Sequence, residues 1–311
     1  MSRGGRAGGW PRSRLAVVVL AILPRFVSDY RISLLISIFA YVAMATAWSF
    51  FSGATRYISL ATSAFVGIGV YAVTLSIDRV PLALGLALAA LAGFLVALVV
   101  GLSTLRLRGV YFVIFTFGLA ELIKQLVTWY EVNRNKNLMR LVFADVSNVF
   151  LYEVLLAVAV LTVAGSWLAG RTRLGFALRA IGEDETVARH TGVNTTLVKV
   201  LVFALTASVI ALTGAVLSLR YSYIDPNIAF NSAWSFQVLI MSLLGGGTRL
   251  GPAAGGDSAR PPLRVPGGHV SPPLRHRARP LLRGHRLLSP RRRGPLARAC
   301  PRAGRVGRTA A

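Results

Sequence analysis

Little in this chain of 311 residues suits a soluble enzyme. Charged residues make up only 15% of it, where a soluble domain carries roughly 25%. The single cysteine, Cys300, excludes an intrachain disulfide and any multi-cysteine zinc or iron–sulfur site. The four histidines are scattered, so no metal centre and no cofactor is expected. No nucleophile elbow or cleft-forming carboxylate pair stands out, and no catalytic residue is assigned. Two glycine clusters fall short of nucleotide loops. Gly67-Ile68-Gly69 lacks its third glycine, position 72 being alanine, and reads as helix packing. Gly245-Gly246-Gly247-Thr248 is not followed by the Gly-Lys-Ser/Thr of a phosphate loop.

What the chain has instead is apolar length. It is 54% hydrophobic with a mean hydropathy of +0.60. At roughly 20 residues per span, a chain of this size has room for several membrane crossings. Apolar runs occupy Leu15–Leu23, Ile32–Phe51, Leu60–Ile77, Val80–Thr104, Gly109–Tyr130, Phe150–Leu168, Leu197–Leu219 and Ser232–Leu244. The expected fold is an all-α polytopic transmembrane bundle of about eight spans within residues 15–250. Residues 1–14 form a basic cytoplasmic leader. The first run has the leader and length of a signal peptide, but no small-x-small cleavage site follows it, so a short first span or anchor is favoured. With the N-terminus inside, 13 Lys and Arg fall in cytoplasmic segments and 7 outside, an asymmetry of the expected sign.

Several residues stand out within the spans. Gly85, Ala89, Gly93, Ala97 and Gly101 recur every four positions and form one small-residue stripe, which suits close helix packing. Ala207, Ala211 and Ala215 repeat the spacing later. Glu121 and Lys124 lie three apart on one helical face in an apolar run. Charges at membrane depth are costly and usually paired, so this pair either lines a pathway or is a neutralised structural pair.

The stretch 171–196 is the longest polar connection before the tail. Acids at 183–185 suit a helix start, Gly192 its end, and Asn194 can cap the next span. Two short cytoplasmic helical turns are expected there, either a solvated connection or a docking element for a cytosolic partner.

Four segments, read in order over roughly residues 30–252, resemble the permease subunit of branched-chain amino acid ABC importers, the LivM type. They are Tyr57–Tyr71, Leu105–Phe112 leading on to Phe117–Glu121, the loop Thr172–Val193, and Leu244–Thr248 with Gly251-Pro252. The resemblance implies a multi-pass protein of the cell inner membrane that is not itself an enzyme and binds no ATP. It implies four partners besides lipid: a second homologous permease subunit, two cytosolic ATPase subunits and an extracytoplasmic substrate-binding protein. Nucleic acid is not among them. In the coupling loop, Ala180, Ile181, Glu183, Asp184, Glu185, Ala188 and Gly192 would meet the ATPase. Ser59, Thr62, Glu121 and Lys124 are the pathway candidates. The family commonly reads Ser-Leu-Gly-His where this chain has Ser59-Leu60-Ala61-Thr62, which keeps urea or short amides as an alternative substrate class. A membrane-anchored enzyme or scaffold is the alternative from another class.

Residues 253–311 differ in kind. The last 61 residues hold 14 Arg, one acid (Asp257) and 10 of the 14 prolines, and no Phe, Tyr, Trp, Ile or Met. They supply more than half of the net charge of +24. Such a segment cannot bury a core; it reads as disordered or out of frame. Arg, Pro, Gly and Ala have GC-rich codons, and the change falls inside the last resembling segment, as a single-base slip would place it. Resequencing the gene across codons 240–265 checks this. An apolar helix restored in another frame after Gly251-Pro252 is the expected result; a confirmed frame with no apolar alternative overturns it.

Overall fold

The computed structural model describes residues 20, 23–25, 28–77, 79–107, 109–135, 140–141 and 146–245. The basic leader, most of the first apolar run and the Arg/Pro/Gly-rich tail lie outside the described residues. Among the described residues, ten α-helices run in chain order: α1 Asp29–Trp48, α2 Thr62–Ser76, α3 Leu82–Thr104, α4 Val110–Asn135, α5 Asn148–Arg171, α6 Arg173–Glu183, α7 Glu185–His190, α8 Thr195–Ser218, α9 Pro226–Ala229 and α10 Ala233–Leu244. A π-helical turn, Ser49–Gly53, extends α1. Two two-residue strands, β1 Arg140–Leu141 and β2 Tyr223–Ile224, pair antiparallel with Arg140 opposite Ile224.

Local chemistry explains most of the boundaries. Helix α3 starts after Pro81, whose missing N–H costs nothing there. The Ser147 hydroxyl accepts from the Val149 N–H at the head of α5. Asn194 caps α8 by accepting from the Leu197 N–H at 3.1 Å. Asp225 caps α9, with Pro226 in its first turn. Arg56, at φ 61°, turns the chain out of the first span in the left-handed region.

Among the described residues, six helical segments are long and apolar enough to cross a membrane: Asp29–Gly53, Leu82–Thr104, Val110–Asn133, Asn148–Arg171, Thr195–Ser218 and Pro226–Leu244. Helix α2 is apolar but shorter, at 15 residues. The expected eight spans are therefore not reached among these residues. The run Leu60–Ile77 loses its first two residues to a non-helical stretch, and the run Leu15–Leu23 falls mostly outside the description.

Helix α8 is the centre of the bundle and is largely buried; α1, α2, α3, α5, α6 and α7 pack around it. In α3 the buried residues are Gly85, Ala89, Gly93, Ala97, Gly101 and Thr104, so the small-residue stripe is its inner face. Its large side chains, such as Leu91, Leu95 and Val99, point out. The stripe meets small residues on α8: a Cβ at Gly93 would sit 2.5 Å from the Ala211 Cβ and 3.2 Å from the Ala207 carbonyl. A Cβ at Gly214 would sit 2.6 Å from the Val66 carbonyl on α2, and one at Gly69 would collide with the Ala211 backbone.

The two ends of the bundle sort the connections as the charge count does. Tyr57, Leu105, Glu185 and Lys199 meet at one end. Arg220 reaches Ser33 and Ser37 at the other, where β1 and β2 also pair. The first end carries the connections assigned to the cytoplasm, the second those assigned outside.

Helix propensity and packing make opposite predictions for glycine here. Gly165 in α5 has nothing within 4 Å of a new Cβ. Gly165→Ala is expected to stabilise by about 0.5–1 kcal/mol, the intrinsic advantage of alanine in a helix. Gly93→Ala is expected to destabilise despite that advantage, and Gly93→Leu to cost about 1–3 kcal/mol or more. Thermal unfolding of the purified chain in detergent reads both; a stabilised Gly93→Ala would refute the seam.

Candidate functional site

The connection 171–196 folds as a bent pair of helices pressed onto the bundle. Helix α5 turns into α6 over Thr172, where Gly175 packs on the Gly170 backbone with no room for a Cβ. The Arg179 guanidinium donates to the Gly170 carbonyl at 3.0 Å, serving the end of α5. At the other end of α6, Gly182 lies against the Ala54 carbonyl, again too close for a side chain. Asp184 breaks α6 from α7 and caps the latter, its carboxylate accepting from the Thr186 and Val187 N–H groups at 2.7 and 3.2 Å. Gly192, at φ 83°, ends the element. The Gly192 N–H donates to the Arg189 carbonyl at 3.0 Å and the Val193 N–H to the Ala188 carbonyl at 3.2 Å, the double bond of a Schellman cap.

At the heart of this contact is a buried ion pair. Lys199, one turn into α8, is 2% exposed, and Glu185, the first residue of α7, is 8% exposed. The Lys199 ammonium donates to Glu185 Oε1 at 3.0 Å, to the Leu105 carbonyl at 3.1 Å and to the Tyr57 hydroxyl at 3.2 Å. Arg189 donates to the same Oε1 at 2.7 Å, Thr195 at 3.3 Å, and the Tyr57 hydroxyl to Oε2 at 2.9 Å. The three ammonium donors thus have three acceptors. Burial pushes the Glu185 carboxyl up, but the Lys199 and Tyr57 hydrogen bonds, the Lys199 charge and Arg189 outweigh it and bring it from 4.5 down to about 2. One cluster therefore ties four segments together: α7, α8, the connection after α1 and the connection after α3.

This changes the roles expected of the loop residues. Ile181, Glu185 and Ala188 are buried and face the bundle, so they hold the loop in place rather than offer it to a partner. Ala180 is half-buried. Glu183, Asp184 and Gly192 are exposed, and Phe176 and Val187, which the sequence pattern did not single out, are exposed apolar side chains beside them in the chain. Tyr57 and Lys199 were likewise missed. A lone lysine near the start of an apolar run, close after an acidic cluster, was the available signal.

Ser59 is buried in a different feature, the non-helical stretch between α1 and α2, and Thr62 is buried at the first position of α2 that follows it. With no helix to close their hydrogen bonds, backbone groups here need side-chain partners. Trp48 Nε1 donates to the Ser59 carbonyl at 2.8 Å, the Leu60 N–H donates to the Thr116 hydroxyl at 3.1 Å, and the Ser63 N–H donates to the Ser235 hydroxyl at 2.9 Å. Ser235 in turn donates to the Leu60 carbonyl at 2.8 Å. Ser59 and Thr62 also border a gap of about 10 Å³ shared with Ser52, Thr206 and Phe203, about one water in size.

Glu121 and Lys124 form a salt bridge of 3.1 Å on α4, with side chains 41% and 21% exposed, and Gln125 donates to the same carboxylate at 3.3 Å. Both side chains are part-buried, and the hydrogen bonds they make lie within α4. The sequence-picked residues thus fall in four places, and the structure does not gather them into one site. Among the described residues, no group of three or more His, Cys, Asp and Glu could hold a metal ion.

Known proteins match this sequence. The family described as the branched-chain amino acid transport system permease component matches residues 30–257. The high-affinity branched-chain amino acid transport system permease protein LivM of Salmonella typhimurium is 28% identical over 272 residues, and that of Escherichia coli K12 is 26% identical over 270. Each match covers 75% of this chain and 62% of the relative, so the chain spans less than two thirds of their length. No solved structure gives a significant match. With its bundle of apolar helices and a family match over most of its length, the chain is a multi-pass membrane protein that belongs to the family of branched-chain amino acid transport system permease components.

Proposed function

We propose that this chain is a membrane-spanning subunit of an ATP-driven importer that carries branched-chain amino acids across the cell inner membrane. The names of its relatives favour that substrate class over urea or short amides, and transport over an enzyme or scaffold. The chain works beside a second homologous permease. Two cytosolic ATPases dock on its cytoplasmic face, and an extracytoplasmic binding protein delivers substrate to the other. ATP is hydrolysed by the partners.

The observation that carries this reading is the buried Glu185–Lys199 pair, which locks α7 onto the central helix while Phe176, Glu183 and Val187 stay exposed. A docking element must do both: present a face to its partner and transmit the partner's displacement without coming loose. An unanchored loop would absorb the motion in its own bending.

Uptake of labelled leucine by the assembled complex in proteoliposomes, measured beside ATP hydrolysis, tests the proposal. Wild-type uptake is expected to require ATP. Val187→Glu and Glu183→Lys are expected to cut coupled uptake about ten-fold, a loss of roughly 1.4 kcal/mol of docking, with the thermal midpoint of the chain unchanged. ATP-independent uptake, or normal coupling in both variants, would count against it.

The anchor has its own signature. Glu185→Ala removes the carboxylate that the buried Lys199 ammonium faces and is expected to cost about 3–5 kcal/mol, while the double change Glu185→Gln with Lys199→Met recovers most of it. Because the Glu185 carboxyl lies at about 2 in the fold against 4.5 ordinarily, its contribution is fully present above pH 4.5 and is lost as pH falls toward 2. The stability gap between wild type and Glu185→Gln should therefore narrow across that window in acid unfolding. A gap constant from pH 6 to about 2.5 would refute the anchor.

A further inference from the structure

The end of α8 opposite Lys199 borders a cavity of about 230 Å³ between α1, α8 and α10. Its floor is apolar: Ala40 and Leu217 are buried there. Aromatic walls come from Tyr41 and Trp234, whose ring centres are 5.5 Å apart, and from Tyr221. Its rim holds one cation, Arg220, whose Nη1 donates to the Ser37 hydroxyl at 3.4 Å and the Ser33 carbonyl at 3.5 Å. Both are long bonds to neutral acceptors. Among the described residues Arg220 makes no ion pair, so a guanidinium with five donors is left underused beside an apolar hollow.

We propose that this cavity binds a small aliphatic amino acid, with Arg220 holding its carboxylate and the Ala40–Leu217 floor taking its side chain. The proposal rests on the importer reading and adds to it a place on this subunit where the substrate is received. Arginine is the side chain suited to a carboxylate, offering two parallel N–H donors in a fixed fork. The aromatic walls offer the ammonium a cation–π surface. The volume is ample, since an apolar cavity of about 150 Å³ takes up benzene. The position fits as well: the cavity lies at the end of the bundle that the charge pattern assigns outside, where substrate arrives.

An arginine flanked by Tyr and Trp also suits a lipid headgroup, and the test separates the two. The purified full chain, in nanodiscs of phosphatidylcholine alone, is titrated with leucine, with leucinamide, which lacks the carboxylate, and with inorganic phosphate, by calorimetry. Leucine is expected to bind, and leucinamide about ten-fold more weakly. Arg220→Gln is expected to lower leucine affinity about ten-fold at an unchanged thermal midpoint, and Arg220→Lys to recover part of it. Leucine binding that is unaffected in Arg220→Gln overturns the proposal. So does phosphate that competes as well as leucine does, which marks a headgroup site. The two readings fail separately. Uptake by the assembled complex with Arg220 indifferent removes the cavity and keeps the importer; leucine binding that depends on Arg220 without ATP-driven uptake keeps the cavity and removes the importer.

Discussion

Backbone proximity around α8 is the constraint on which the rest of the bundle depends. In lipid, apolar side chains gain nothing by leaving the solvent, so helices associate by how closely their main chains approach and how well their surfaces interlock. Gly93 against Ala207 and Ala211, Gly69 against Ala211, and Gly214 against Val66 bring α2 and α3 onto α8 at distances no larger residue allows. The same division of faces decides which residues meet lipid or another subunit. With the small residues turned inward, α3 presents Leu91, Leu95 and Val99 outward.

Close approach leaves little space for water, and polar groups are placed accordingly. The non-helical stretch before α2 has its backbone served by Trp48, Thr116 and Ser235, from three different helices. Lys199 is served by Glu185, Tyr57 and the Leu105 carbonyl. In each case some of the partners come from elements distant in sequence, so the polar contacts fix which elements are neighbours, while the small-residue seam fixes how near they come. Glu121 and Lys124 pair within one helix instead and specify no neighbour inside the bundle.

That difference explains what was legible in the sequence. The stripe from Gly85 to Gly101 is a period-four pattern on a single helix, and it is the inner face of α3. The Asn194 cap, the helix break at 183–185 and the Gly192 stop are equally local, and each stands where its residue chemistry put it. Glu185 was read as a docking residue because three adjacent acids look alike in a string. Only the tertiary fold turns one of them onto Lys199, 14 positions away, and onto Tyr57, 128 positions away. Thr116 and Ser235 gave no signal, since isolated hydroxyl residues in apolar runs are ordinary. The run Leu60–Ile77 overstates its helix because hydropathy does not register Leu60 spending both its backbone groups on Thr116 and Ser235 of other helices.

These contacts also decide how α8 can respond to a force on the end that carries Lys199. Pulling α7 away from α8 would separate a buried ion pair, at a cost of about 3–5 kcal/mol. Moving the two together breaks none of the Glu185 bonds to α8. The cheaper response is for α8 to follow α7, and a helix of 24 residues carries that displacement about 36 Å. At its far end stand Leu217 and Arg220, on the floor and rim of the outer cavity. The bundle therefore contains a stiff strut joining α6 and α7 to the cavity at its opposite end, held at one end by charge and along its length by glycine and alanine.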